Sequence, residues 1–442
     1  MGLRDVLQNT AVSRPGVLLV GWPGSTEIRL EAEAELRRRG WPVVAGPAAT
    51  DLVVVAGSAE SSDAEWLATI WQQVPCPRAL VTLDRPGHVR QQLEGGASVL
   101  ADGGEHQRTA ERDEATAKPE PRSGPEDRHG HGEDHPHEPH PGHEAQQSQG
   151  EHDGHWRHEE GQEHSPHQGH AGHDMSEMTV AGLPMAERAD DRDELRLDRL
   201  HVPLGPALND WPCGLILRVS LQGDLVQRAD VEYVRVSTSQ GGPFWDEPWL
   251  RAARGDHVTR GSAARRRCGA HLDSLGRFLA VIGWEDAAAR SRRLRDDVLA
   301  GKPTDRLRAE ALKLVRRVGR SRTLRWLVAG LGPLPAVRAH GLGVSGPALA
   351  ADGDAYDRVR VWLEEVRRAV DGFGDTRPLE PDDLMGPRGA VDAVRPPSHA
   401  LLDALPELLR GVEFASTRVI VASLDPDIDE LVAVPAQGAA DG

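Results

Sequence analysis

Val17-Leu-Leu-Val20, the turn Gly21-Trp-Pro-Gly24 and the helical pattern from Ile28 to Arg38 decide how the first hundred residues fold. A short apolar run, a Gly/Pro turn and an amphipathic stretch behind the N-cap candidates Ser25 and Thr26 read as a strand-turn-helix unit. The unit repeats. Val43-Val44 and Leu52-Val-Val-Val55 read as strands, about 63 to 73 as a helix, Ala79-Leu-Val-Thr-Leu83 as a strand, and the residues after Pro86 as a weaker helix. Strands alternating with helices imply a parallel sheet covered on both faces. The Gly21 to Thr26 turn has neither the Gly-Lys-Ser/Thr ending of a Walker loop nor the GxGxxG spacing of a dinucleotide site, so it reads as a plain tight turn.

Beyond residue 100 the character of the chain changes. Residues 101–200 carry 25 acidic against 10 basic side chains, so nearly all of the net charge of −17 sits there. From about 101 to 193 apolar periodicity vanishes and Gly, Pro, Glu, Gln and His take over, which predicts a disordered acidic linker whose ordering burial could not offset. Within it stand thirteen histidines: His129, His131, His135, His137, His140, His143, His152, His155, His158, His164, His167, His170 and His173. Neutral imidazoles suit zinc, nickel or copper. Interchangeable ligand sets on a floppy chain point to labile zinc or nickel rather than one ion in one geometry. The tract reads either as a solvated spacer with incidental metal affinity or as a buffering or delivery device. As a coil it spans on the order of 50 Å, enough to let the flanking domains touch.

The second folded region begins near Glu194. Leu215-Ile-Leu-Arg-Val-Ser-Leu221, the turn Gln222-Gly-Asp224 and Leu225 to Val236 read as a β-hairpin. Helical stripes follow over 265–282, 285–300, 305–329, 355–370 and 401–409, with apolar residues facing a core and arginines facing water. The expected architecture is an α/β domain over 1–100, a disordered linker over 101–193, a mainly α domain with a small β-hairpin over 194–435, and a disordered tail over 436–442.

Composition excludes several classes. The 49 arginines against 3 lysines are a compositional bias rather than a basic nucleic-acid footprint, given the neutral flanks and acidic middle. No stretch approaches the roughly 20 apolar residues of a membrane span, and Met1 to Val20 has no signal-peptide core. Cys76, Cys213 and Cys268 form neither a disulfide framework nor a CxxC pair. A cytoplasmic chain is expected, peripheral on the membrane through partners.

Two stretches carry a resemblance. Ala49-Thr-Asp-Leu-Val-Val-Val-Ala-Gly57, Trp71-Gln-Gln-Val-Pro75 and Pro77-Arg-Ala-Leu-Val-Thr-Leu83 resemble the small, flavodoxin-like iron-sulfur subunit shared by complex I and [NiFe] hydrogenases. Where that family's strand runs into a cluster cysteine, this chain has Leu83-Asp-Arg-Pro-Gly-His88. Four thiolates are the usual requirement for a [4Fe-4S] cluster, so no cluster is expected.

The later region resembles the hydrogenase-derived large subunit of complex I. Gly205-Pro206 with the hairpin, Gly343-Val-Ser-Gly-Pro347, Gly353-Asp-Ala-Tyr-Asp-Arg358, Gly386-Pro-Arg-Gly389, Leu405-Pro-Glu-Leu-Leu-Arg-Gly411 and Ala422-Ser-Leu-Asp-Pro426 follow the family's order. In hydrogenases the closing Asp-Pro is followed by a nickel-binding Cys-x-x-Cys, and the corresponding positions here are Asp427 and Glu430. Arg266-Arg-Cys268-Gly-Ala-His271 echoes the other ligand pair with His for the second Cys. Without terminal partners it reads as a helix cysteine buried in the core. The family's quinone-facing histidine loop is replaced by Ala207-Leu-Asn-Asp-Trp-Pro-Cys213, its quinone-facing tyrosine segment is missing, and Tyr356 reads as structural.

The resemblance thus implies a fusion of degenerate small and large subunits, with no iron-sulfur cluster, no nickel-iron centre and no catalytic residue. It implies docking on proton-channel or antiporter-like membrane subunits and contact between its own two domains, with no nucleic acid. The alternative is a nickel or zinc maturation factor working through the His tract. An active quinone oxidoreductase subunit would need ligands that are absent from these motifs.

Overall fold

The computed structural model describes residues 13–57, 65–101, 179–180, 183–184, 188–190, 196–234, 242–391 and 395–432. The thirteen histidines of the tract and the 436–442 tail lie outside them.

The N-terminal sheet contains β1 (Val17–Gly21), β2 (Leu52–Ala56) and β3 (Ala79–Leu83), parallel and in that order, with Val17 level with Leu52 and Leu52 level with Ala79. Val43 bridges Val17 on the other side of β1, so it contributes one bridge where a strand was expected. The chain therefore steps to one side of β1, then crosses to the other. All five residues of β2 are buried, the mark of a strand covered on both faces. Val54 and Ala56 share one cluster with Ile28 and Leu36 of the Thr26–Arg39 helix and Leu93 of the Val89–Ala101 helix. Val53 and Val55 pack on the opposite face with Trp22, Val74 and Trp71. The Glu65–Gln73 helix lies on that side.

Within the stretch expected to be linker the described residues include β4 (Thr179–Val180) and β5 (Leu183–Pro184), paired antiparallel.

The remaining chain opens with an antiparallel sheet, β6 (Arg188–Asp190), β7 (Arg196–Leu204), β8 (Leu215–Gln222) and β9 (Leu225–Tyr233), in sequential order. The expected hairpin is β8–β9. Two further strands precede it, starting inside the predicted linker. Leu215, Leu217, Val219 and Leu221 face inward, as period-2 alternation requires. They pack on Leu401, Leu405 and Leu408 of the Pro397–Leu409 helix.

A second core gathers Leu272, Leu275 and Phe278 of the Arg260–Val281 helix, Leu294 and Val298 of the Glu285–Leu299 helix, and Val359 and Val366 of the Ala355–Asp371 helix. The Phe414–Leu424 helix joins the two cores, Ala422 facing one and Ile420 and Leu424 the other. Each fully buried Leu or Phe is worth roughly 2 kcal/mol.

The single helix expected over 305–329 is two, Thr304–Gly319 and Arg322–Val328. Gly319 weakens continuation, and the Ser321 hydroxyl accepts from the Leu324 N–H at 3.1 Å to start the second helix. No described helix is long and apolar enough to cross a membrane.

Candidate functional site

Four of the segments that carry the resemblance meet at one place. Arg358, which is 1% exposed, donates from Nη2 to Ser423 Oγ at 2.9 Å and to Gly332 O at 2.9 Å, tying the 353–358 segment to 422–426. Asp354 and Asp357 form a capping box that starts the helix bearing this arginine. A Cβ at Gly346 would lie 2.3 Å from Arg388 O, and one at Gly389 would lie 2.0 Å from Ser345 Oγ. Glycine is thus required where 343–347 crosses 386–389. Arg388 then reaches the last segment, donating from Nε to Asp425 O at 2.8 Å and from Nη2 to Asp425 Oδ2 at 2.7 Å.

Around Arg388 the chain collects carboxylates. Asp425 ends the Phe414–Leu424 helix in the left-handed region, φ +53°, and also accepts from Ser274 Oγ at 2.6 Å and from Arg277. Asp427 lies 3.4 Å from Arg388 Nη1, and its backbone N–H donates to Ser398 Oγ at 2.7 Å. Glu430 Oε2 accepts from the Ser398 N–H at 2.9 Å, while Oε1 is buried without a partner. Asp246 Oδ1 is close enough to Gly386 that a Cβ there would meet it at 2.5 Å. All four acids are buried.

Burial pushes Asp246 up to about 6 against the pull of Arg388. Burial likewise outweighs Arg388 at Asp427, and with the neighbouring Asp429, Asp246 and Asp425 carries it to about 7. Glu430 stands well above the usual range from burial, Asp246 and Asp427. Such a cluster retains protons near neutrality.

His271 sits beside this cluster, buried, with Nε2 unpartnered. Burial, then Arg267 and Arg388, push it down to about 3, which leaves it neutral. A cavity of about 10 Å³ separates His271, Ser274, Arg388 and Asp425, room for about one water. Cys268 is fully buried among Leu272, Leu275 and Phe278, and burial raises its thiol.

The donor set does not suit a nickel-iron centre. Arg388 and Arg277 already neutralise the negative charge that the carboxylates there would offer to a metal. Among the described residues no group of three His, Cys, Asp or Glu side chains gathers at metal-ligand geometry.

A second polar cluster joins the α/β domain to the helical one. Asp273, 1% exposed, receives Arg29 Nη2 at 2.9 Å, Arg295 Nη1 at 2.5 Å and Arg277 Nε at 3.5 Å. Glu33 takes Arg29 at 2.6 Å and Arg295 at 2.9 Å. Burial disfavours the charge on both acids, but the arginines win: Glu33 is held at about 2 and Asp273 well below the usual range. Arg295 and Arg358, expected on a solvated face, are thus buried, because each meets partners from distant segments.

The Gly21 to Thr26 turn is occupied by the chain itself. Gly24 N–H donates to Asp429 Oδ1 at 2.6 Å, so an internal carboxylate sits just before the helix, where anions are favoured. Ser25 caps nothing with its side chain; its hydroxyl donates to Trp22 O at 2.6 Å. Beside it Gly21 faces Cys213, whose Sγ would lie 2.6 Å from an added Cβ, and burial pushes the Cys213 thiol up to about 11. The interface leaves a cavity of about 290 Å³ between Gly21, Arg29, Trp41, Trp211, Cys213 and Arg292. Arg29 and Arg292 are already paired there, Arg292 with Asp210.

Leu83 ends β3, and Leu83 to His88 contributes no member to either cluster. Cys76 is exposed and outside both. Arg388 lay within a quoted motif, so its segment was legible. Asp246, Asp273, Arg29 and Arg295 were missed; the one signal was an acid, Asp273, between the apolar positions Leu272 and Leu275.

No protein-family model and no curated protein matches the chain. Among solved structures, a chain of the membrane-bound sulfane sulfur reductase, an archaeal respiratory membrane complex, is similar at 16% identity with a TM-score of 0.39. The similarity covers 52% of this chain and 98% of that one.

Proposed function

We propose that the chain is a structural subunit of a complex-I-like or hydrogenase-like membrane assembly, a fused small and large subunit whose redox centres have been replaced by ion pairs. Its first domain is read as flavodoxin-like and its last as hydrogenase-large-subunit-like, with proton-channel or antiporter-like membrane subunits as partners. The observation that carries this is Arg388. It connects three of the resembling segments, and its guanidinium stands among Asp425, Asp427 and Glu430 where a metal site would need its positive charge. An arginine in that position supplies no electron-transfer chemistry, and its loss would leave buried carboxylates unpaired. The interdomain cluster around Asp273 fits the same reading, because it holds the two halves together as one docking body.

The test is affinity purification of the full chain from gently solubilised native membranes, with metal content measured on the same material. Recovery of polytopic antiporter-like subunits, with no iron-sulfur or nickel signal on this polypeptide, is the expected result. An iron-sulfur signal assigned to this polypeptide overturns the reading. Recovery of soluble hydrogenase precursors carrying nickel would assign the chain to maturation instead.

A further inference from the structure

Residues 304–341 contain nine Arg and Lys against two Asp and Glu, a local excess opposite in sign to the chain as a whole. The Thr304–Gly319 helix buries Leu307, Ala311, Leu314 and Val318. At 100° per residue Lys313, Arg316 and Arg320 point away from that stripe, and all three are exposed. The Arg322–Val328 helix buries Leu324 and Val328 and turns Arg322 and Trp326, one helical turn apart, to the opposite side. Trp326 is 83% exposed, and Val337 on the next helix is 89% exposed.

Many of the described arginines meet carboxylates, among them Arg29, Arg277, Arg295 and Arg388. Lys313, Arg316, Arg320 and Arg322 have no such partner among the described residues, and Arg325 faces only the Tyr356 ring at 6.0 Å. Uncommitted guanidiniums beside an exposed indole are the chemistry of an anionic lipid surface: arginine forks phosphate, and tryptophan settles at the headgroup level. An acidic protein segment would match the charge but leave the exposed indole of Trp326 unused.

We propose that the exposed residues Lys313, Arg316, Arg320, Arg322 and Trp326 dock on anionic phospholipid. The inference rests on these exposed side chains alone and is independent of the subunit reading, since lipid vesicles contain no protein partner.

The experiment is co-sedimentation of the full chain with vesicles of phosphatidylcholine alone or mixed with phosphatidylglycerol. Binding to the phosphatidylglycerol vesicles at low salt, at least about tenfold tighter than to phosphatidylcholine and weakened by added salt, is expected. Trp326→Ala and the pair Arg320→Gln with Arg322→Gln each weaken it by about tenfold while the circular dichroism spectrum is unchanged. Equal sedimentation with both vesicles, or undiminished binding by both variants, overturns the proposal. Capture on immobilised polyglutamate as tight as on vesicles, and unaffected by Trp326→Ala, overturns it in favour of an acidic polypeptide.

Discussion

The interdomain cluster and the C-terminal cluster use the same side chains in opposite proportion. At the interface Asp273 is met by three guanidiniums, those of Arg29, Arg295 and Arg277. At the C-terminal turn Asp246, Asp427 and Glu430 compete for the field of Arg388, which already holds Asp425. Burial penalises every carboxylate in both places. The arginines overcome it in the first and fail in the second, so one cluster stays charged and the other keeps protons. Arg277 belongs to both, ion-paired with Asp273 and hydrogen-bonded to Asp425, and therefore links the domain interface to the terminal turn.

The largest effect falls on the arginine-rich side. Asp273→Ala leaves Arg29 and Arg295 buried without their central partner and is expected to cost about 3–5 kcal/mol in denaturant unfolding. A loss below about 1 kcal/mol would mean that the guanidiniums reach water and that the two clusters do not differ in kind.

The carboxylate-rich side responds with the opposite sign. Asp427 and Asp246, pushed up to about 7 and about 6, keep protons that an unfolded aspartate releases near pH 4, at roughly 3.9. Their contribution is therefore present below pH about 4 and lost as pH rises to about 7. Glu33, held at about 2, contributes above pH about 4.3 and loses that contribution as pH falls toward 2. Asp427→Asn retains the acceptor but removes the titration. It should leave stability at pH 4 within about 0.5 kcal/mol of the parent and raise it by about 1–3 kcal/mol at pH 8. Thermal unfolding across that range checks this, and an unchanged slope would place the retained proton elsewhere.

The smallest effect sharpens the boundary between the domains. Gly21→Ala drives a methyl into Cys213 Sγ and is expected to destabilise by about 1–3 kcal/mol. Adding Cys213→Ala should recover part of the loss, with a coupling of at least about 0.5 kcal/mol. Simple additivity would show that residues 21 and 213 are not energetically coupled across the interface.

Much of the frame was legible. Val17 to Val20, Leu52 to Val55 and Ala79 to Leu83 became the parallel strands because short, mostly apolar runs between turns have few other ways to be buried. The 355–371 helix was legible from its apolar stripe, and the glycines of 343–347 and 386–389 from their motifs. The β7 strand was missed because Arg196 to Leu204 alternates imperfectly, with Leu200 left exposed. The break after Gly319 was missed because the apolar period runs through it, and only the cap at Ser321 decides it.

By itself, the sequence determined which stretches become strands and helices and in what order the motif segments follow one another. Hydrophobic period and turn chemistry are local, and the physics that reads them is local too. The tertiary structure alone decided which charges are paired and which are left to hold a proton. Arg29 and Asp273 are 244 positions apart, and Gly24 and Asp429 are 405 apart. A charge carries no period that names its partner, and its energy depends on the distance and burial that folding creates.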